Sequence, residues 1–216
     1  MNERVLCVAA HPDDEALGCG GTLARHVLDG DEVDIIFCAD GETSRGMKAL
    51  PNRNFMAHEA AKVLGAKIPT YLDYVDQRLD QASLLELTQH IEDRARIIRP
   101  TIVYMHHLGD LNRDHQLVAQ ATLTAFRPLP FSSVRAIYAF EVPSSTEWGT
   151  GFWSNHYVDV SKTWNVKILA LKQYESEMRE MPHPRSLGGV FALARWRGAQ
   201  AGISHAEAFM TMRTIR

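Results

Sequence analysis

Residues 4–15 read RVLCVAAHPDDE, and the fold turns on how that stretch divides. Residues 4–10 are a near-continuous apolar run, the pattern of a strand buried on both faces. The run empties directly into His11, Asp13, Asp14 and Glu15. Carboxylates side by side repel one another and are costly to take out of water, so this strand end calls for a cation.

Beyond it, short apolar runs alternate with helical patterns. GCGGTLARHVLDG (18–30) predicts a helix with Leu23, His26 and Val27 on one face and Gly30 as its stop. DEVDIIFCAD (31–40) predicts a second strand. NRNFMAHEAAKVLGA (52–66) predicts a helix with Phe55, Ala60, Val63 and Leu64 inward and Gly65 as its cap. PTYLDY (69–74) is a third short strand. A helix starts at Ser83, with Glu86 completing a capping box, and stops before Pro100. TIVYMHH (101–107) is a fourth strand, DHQLVAQATLTAF (114–126) a helix from Asp114, and VRAIYAFEV (134–142) a fifth strand. This alternation predicts an α/β fold: a mainly parallel sheet with helices on both faces and right-handed crossovers. Binding sites in such sheets lie outside the carboxyl ends of the strands. The loops after strands one and four, HPDDE and HHLGDLNRDH (106–115), are therefore expected to be neighbours in space.

The remainder has a different texture. Residues 141–160 form a loop rich in Ser, Trp and Gly, whose Trp148, Trp153, Asn155 and His156 suit either a polar substrate or plain packing. A helix capped by Ser161 follows, then PHPRS (182–186) and two further helical stretches. Residues 141–216 are expected to form a substrate loop and a C-terminal helical extension over the sheet's edge. With a core of residues 1–140 they would make one domain, as 216 residues allow.

Composition narrows the function classes. A formal net charge of −3, with no Lys/Arg stripe, argues against a nucleic-acid partner. Cys7, Cys19 and Cys38 form no CxxC pair, and the N-terminus lacks the pattern of a signal peptide, which together point to a reducing cytoplasm. No apolar stretch approaches the ~20 residues needed to span a bilayer.

A divalent metal would supply the missing cation. His11 and Asp14 are three residues apart, so one turn can aim both at a point, and His115 starts a helix on the same sheet edge. Two imidazoles, one carboxylate and an open position match a catalytic rather than a structural zinc site. Asp13 is left over beside them, where a general base for an activated water belongs. Alternatively His11 caps the strand, the acids are helix-start charges and His115 is a surface residue. Glu15 is open in the same way, an orienting neighbour or a helix-start charge. A nucleotide site built on GCGG (18–21) and Asp40 fails, because the glycines come too late, the GxGxxG spacing is absent and three carboxylates occupy the pyrophosphate's place.

AAHPDDEALGCGGTLA (9–24) and GDLNRDHQLVAQA (109–121) closely resemble segments of the zinc-dependent deacetylases of the PIG-L/LmbE family. DGE (40–42), RNFMAHEAAKVLG (53–65), PSSTEW (143–148), PHPRS (182–186) and RGAQAGISHAEAFMTMR (197–213) extend the likeness to a bacterial subgroup and to nearly the whole chain. The resemblance implies a Rossmann-like three-layer fold and removal of acetyl groups from N-acetylated amino sugars or their conjugates. It implies Zn2+ on His11, Asp14 and His115, although such a donor set accepts several first-row metals. It implies Asp13 as the base, Arg53 as a sugar contact and Asp114 as a partner that orients its neighbours. Read without it, Arg53 is a solvated helix-start arginine and Asp114 an N-cap. Family members often assemble, so a homo-oligomer is an expectation. One position departs: the family's oxyanion-stabilising histidine, three residues before the ligand histidine, is here Asn112. Either Asn112 is a weaker donor or another histidine substitutes; His183 of PHPRS is the candidate, and His106 and His107 also lie near the sheet edge, one of them as the end of strand four.

Overall fold

The computed structural model describes residues 2–42, 52–130 and 132–215. Its strands are β1 (Arg4–Ala9), β2 (Glu32–Ala39), β3 (Thr70–Tyr74), β4 (Ile102–His106), β5 (Ala136–Phe140), β6 (His156–Asp159) and β7 (Ala206–Thr214). Its helices are α1 (Asp14–Leu28), α2 (Arg53–Leu64), α3 (Leu84–Ile98), α4 (Arg113–Ala125), α5 (Trp164–Gln173) and α6 (Leu187–Ala201). One sheet takes all the strands in the order β3-β2-β1-β4-β5-β7-β6. The first five are parallel, and β7 runs against both its neighbours.

Strand alternation builds three layers. Val5, Cys7 and Ala9 of β1, with Val33, Ile35 and Phe37 of β2, pack against α1, α2 and α5. Leu6, Val8 and Ala10, with Ile36 and Cys38, pack on the other face against α3 and α4. Successive residues of a strand face opposite ways, so both registers must be apolar, as RVLCVAA is. Each fully buried aliphatic side chain contributes about 1.5–3 kcal/mol. The chain leaves β1 toward β2 on one side and later returns to place β4 on the other. The C-terminal ends of β1 and β4 thus flank the topological switch point, where such sheets open a crevice.

Several local expectations are corrected. The first helix begins at Asp14, not in the glycine run, and carries Gly18, Gly20 and Gly21 inside it. Helical geometry breaks at Cys19 (φ −142°, ψ 17°). The glycines serve close packing: a Cβ at Gly18 would overlap the Phe140 ring, and one at Gly21 would press on Val160. The buried stripe of α2 is Arg53, Met56, Ala57, Ala60, Ala61 and Leu64, so Phe55 falls outside it and is 65% exposed. Gly65 does cap α2, at φ 77°. Ser83 precedes α3 without a side-chain capping bond, so the capping box with Glu86 does not form. Asn112, not Asp114, caps α4, its Oδ1 accepting the Asp114 N–H at 2.9 Å. The residue before α5 is Thr163 rather than Ser161, and its hydroxyl is spent on the Gly21 carbonyl at 2.7 Å. The last segment is a strand: β7 fills the open edge of β5, where unpaired backbone groups would otherwise face solvent. Among the described residues no helix is long and apolar enough to cross a membrane.

Candidate metal centre and active site

β1 delivers His11 to the carboxyl edge, and a turn brings Asp14 back beneath it. The Asp14 Oδ2 accepts the His11 N–H at 2.9 Å and lies 3.3 Å from His11 Nδ1. The first turn of α4 brings His115 Nε2 to 3.3 Å from the same oxygen. All three residues are buried, and their donor atoms lie within 4.8 Å of one another.

The outer nitrogens fix what the inner ones present. His11 Nε2 lies 3.1 Å from Asp114 Oδ2, and His115 Nδ1 lies 3.2 Å from Asp110 Oδ1. An ionised carboxylate only accepts, so each outer nitrogen carries the proton and each inner nitrogen turns a lone pair toward Asp14. Two lone pairs and a carboxylate converging in a buried space require a cation. In the metal-free chain protons fill that role. Burial opposes the charge on His115, but Asp14 and Asp110 raise its pKa to about 9. Burial likewise opposes charge on His11, and Asp114, Asp14 and Asp76 lift it well above its ordinary value. Asp14, despite burial, is held well below the carboxylate range by His115 and by its bond to His11. This donor set fits a divalent metal.

The flanking carboxylates are themselves fixed. Asp114 accepts the backbone N–H groups of Gln77 at 2.8 Å and Leu79 at 3.2 Å. Asp110 accepts the Asn112 N–H at 2.8 Å and the hydroxyls of Ser145 and Thr146. Burial works to raise Asp110, yet the hydrogen bonds from His115, Ser145 and Thr146 hold it down at about 2. A second group, His11 with Asp76 and Asp114, also has converging donors. It is the poorer cage, since the Asp114 carboxylate is already committed to two backbone amides. His106, not His107, ends β4 and is no ligand: its Nε2 accepts the Ala10 N–H at 2.9 Å. Burial and the neighbouring His115 push its pKa down to about 4.

A cleft of about 360 Å³ opens over these residues, lined by His11, Asp13, Asp14, Asn112 and His115, with Arg53 and Arg185. Asp13 faces two guanidiniums. Arg185 bonds its Oδ2, and Arg53 Nη2 lies 3.2 Å from it. Burial raises the Asp13 pKa, and the two arginines oppose that rise. Arg53 is 2% exposed, which removes the solvated alternative. It also pairs with Glu177 at 3.2 Å and donates to the carbonyls of Pro12 and Gly41.

The sequence reading and the structure part at the tail. His183 is exposed and outside the cleft lining, its Nδ1 accepting the Arg185 N–H at 3.1 Å. PHPRS therefore sends a guanidinium, not an imidazole, into the site. Of the 141–160 loop, Val142, Ser144 and Ser145 reach the cleft. Asn155 instead accepts the Thr211 N–H, and His156 stacks on Tyr138 at 4.3 Å. Arg185 and Asp110 escaped sequence reasoning. Asp110 stands five residues before His115, at no ligand-like spacing. Arg185 stands in PHPRS, where His183 offers the more obvious proton chemistry.

A sequence model of the PIG-L family, described as GlcNAc-PI de-N-acetylase, matches residues 6–126. A protein of Escherichia coli K12 named uncharacterized deacetylase YaiS is 31% identical over 180 residues, 80% of this chain and 90% of its own. Diacetylchitobiose deacetylase of Thermococcus kodakarensis is 29% identical over 196 residues, 82% of this chain and 71% of its own. The solved N,N'-diacetylchitobiose deacetylase from Pyrococcus horikoshii, bound to an inhibitor, superposes with a TM-score of 0.81 at 21% identity. That match covers 98% of this chain and 84% of the other, and at such identity it speaks for the fold alone.

Proposed function

Because this chain belongs to the PIG-L family, we propose that it is a metal-dependent hydrolase that removes the acetyl group from an N-acetylated amino sugar or its conjugate. The observation that carries this is the pair of imidazole nitrogens turned on Asp14, each ring held from behind by an outer carboxylate, beside a cleft that also holds a separate buried acid. His11, Asp14 and His115 would hold the ion, with zinc the first choice for two imidazoles and one carboxylate. Bound there, the ion would polarise the amide carbonyl and lower the pKa of water to about 7.

The chain's own groups do the rest. Asp13 takes a proton from the attacking water, holds it on its carboxylate and returns it to the departing amine. Acetate and a free amino group result. Arg53 and Arg185 aim that carboxylate, and Arg185, the more exposed of the two, offers N–H donors to the sugar's oxygens. Asn112 spends Oδ1 on capping α4, which leaves its amide NH2 as the neutral donor for the developing oxyanion. The positive charge that an imidazole would bring comes instead from Arg185, whose backbone N–H is held by His183.

The test is acetate release by the zinc-loaded protein from N-acetylglucosamine, diacetylchitobiose and N-acetylglucosaminyl conjugates, beside non-sugar acetamides of similar size. Release from at least one sugar substrate, abolished by a chelator and restored by zinc, is expected. Turnover of the non-sugar amides alone would overturn the sugar assignment. Chelator-insensitive turnover would overturn the metal.

A further inference from the structure

Asp13 occupies the N-cap position of α1 with its backbone at φ 120° and ψ −26°, a region that residues bearing a Cβ rarely adopt. An aspartate at this position ordinarily turns its carboxylate back onto a helix N–H. Here it makes no capping bond, and the carboxylate enters the cleft to meet Arg53 and Arg185. Something else must therefore hold the backbone. The third acid of the opening motif does: Glu15 Oε2 accepts the Asp13 N–H at 3.0 Å. Glu15 Oε1 accepts the Tyr174 hydroxyl at 2.7 Å. Both Glu15 and Tyr174 are 0% exposed, and neither lines the cleft. The acid at the second position of the helix thus reaches back to the N-cap amide, while the N-cap side chain makes no bond in return.

We propose that Glu15, locked by Tyr174, is a positioning residue that pins the backbone of Asp13 so that its carboxylate faces the substrate instead of capping α1. The inference rests on Asp13 being the base proposed above. Burying a carboxylate this deeply is unfavourable, and an apolar side chain would fill the same volume without that cost. The acid is explained by the amide and the hydroxyl it must accept from. Tyr174 also opens the stretch that carries Glu177 to Arg53 and Arg185 to Asp13. One short piece of chain after α5 thus grips the motif at Glu15, at Asp13 and, through Arg53, at Asp13 again.

Structure and kinetics test this separately. In a crystal structure of Glu15→Ala, the Asp13 φ is expected to turn negative and its carboxylate to leave the cleft for the start of α1. An unchanged Asp13 would overturn the proposal, whatever the activity. In kinetics, Glu15→Ala is expected to lower kcat about a hundredfold, the scale of an ångström-sized misplacement, with KM and metal content unchanged. Glu15→Gln can still accept from Asp13 and donate to Tyr174, so it should restore most of that loss. Gln falling as far as Ala, or a loss traced to missing metal, would overturn it. In an Asp13→Asn background, Glu15→Ala should add almost nothing, and full multiplicative loss would count against it. If Glu15→Ala does not fold, Tyr174→Phe, which keeps the apolar volume, takes its place in the crystal and the assay with the same criteria. A wild-type protein that deacetylates nothing would remove the proposed function and leave the crystallographic arm decisive.

Discussion

His115 stands between two carboxylates, Asp14 at Nε2 and Asp110 at Nδ1, and its chemistry depends on pH for that reason. Its pKa rises from 6.5 to about 9 in the metal-free fold. A raised histidine pKa stabilises the fold fully below the unfolded value, and that contribution is lost as pH climbs through the folded value. The shift is worth at most about 3 kcal/mol. Urea unfolding of metal-stripped protein should accordingly show a lower midpoint at pH 9.5 than at pH 6, and His115→Gln should flatten the difference. A metal competes with the same proton, so affinity should tighten between pH 6 and 9, as titration calorimetry with zinc would read. Affinity independent of pH would count against these ligands. Asp13→Asn should keep its metal while kcat falls by about 10²–10⁴. At this scale the sequence shows the proposed ligands, because HxxD and DH are local spacings at predicted strand ends. It hides Arg185, which reaches Asp13 from 172 residues away. Only the tertiary path of the tail reveals which side chain of PHPRS arrives.

The first helix is where sequence and structure differ most instructively. Glycines inside a helix are unfavourable, so the run GCGG reads as a start rather than an interior. The structure keeps them inside because neighbours need the space, and the helix breaks at Cys19 as a result. That break frees backbone groups, and a buried ion pair takes them up. Lys167 of α5 donates to the Leu17 carbonyl at 2.8 Å, and Glu207 of β7 accepts the N–H groups of Gly21 at 2.9 Å and Thr22 at 2.7 Å. Lys167 and Glu207 pair with each other. Lys167→Met would leave Glu207 buried and unpaired, with an expected loss of about 3–5 kcal/mol in denaturant unfolding. A loss below about 1 kcal/mol would mean that the pair does not hold the kink.

Across the whole molecule, the parallel half of the sheet is legible from five apolar runs separated by helical patterns, and its switch point follows from connection rules alone. The far edge is not legible in the same way. AEAFMTMRT lacks strict alternation, and its choice of strand over helix is made by the open edge of β5. Because β7 lies between β5 and β6, deleting residues 204–216 should unpair β6 and remove Glu207 from α1. Circular dichroism of that truncation is expected to show loss of cooperative unfolding. A folded, cooperative truncation would mean that the tail only decorates the sheet. The central claim concerns one ion at one place. Anomalous diffraction from crystals grown with zinc should show a single peak about 2.0–2.2 Å from His11 Nδ1, Asp14 and His115 Nε2. A peak between His11 Nε2, Asp76 and Asp114 instead, or none at the first site, would contradict it.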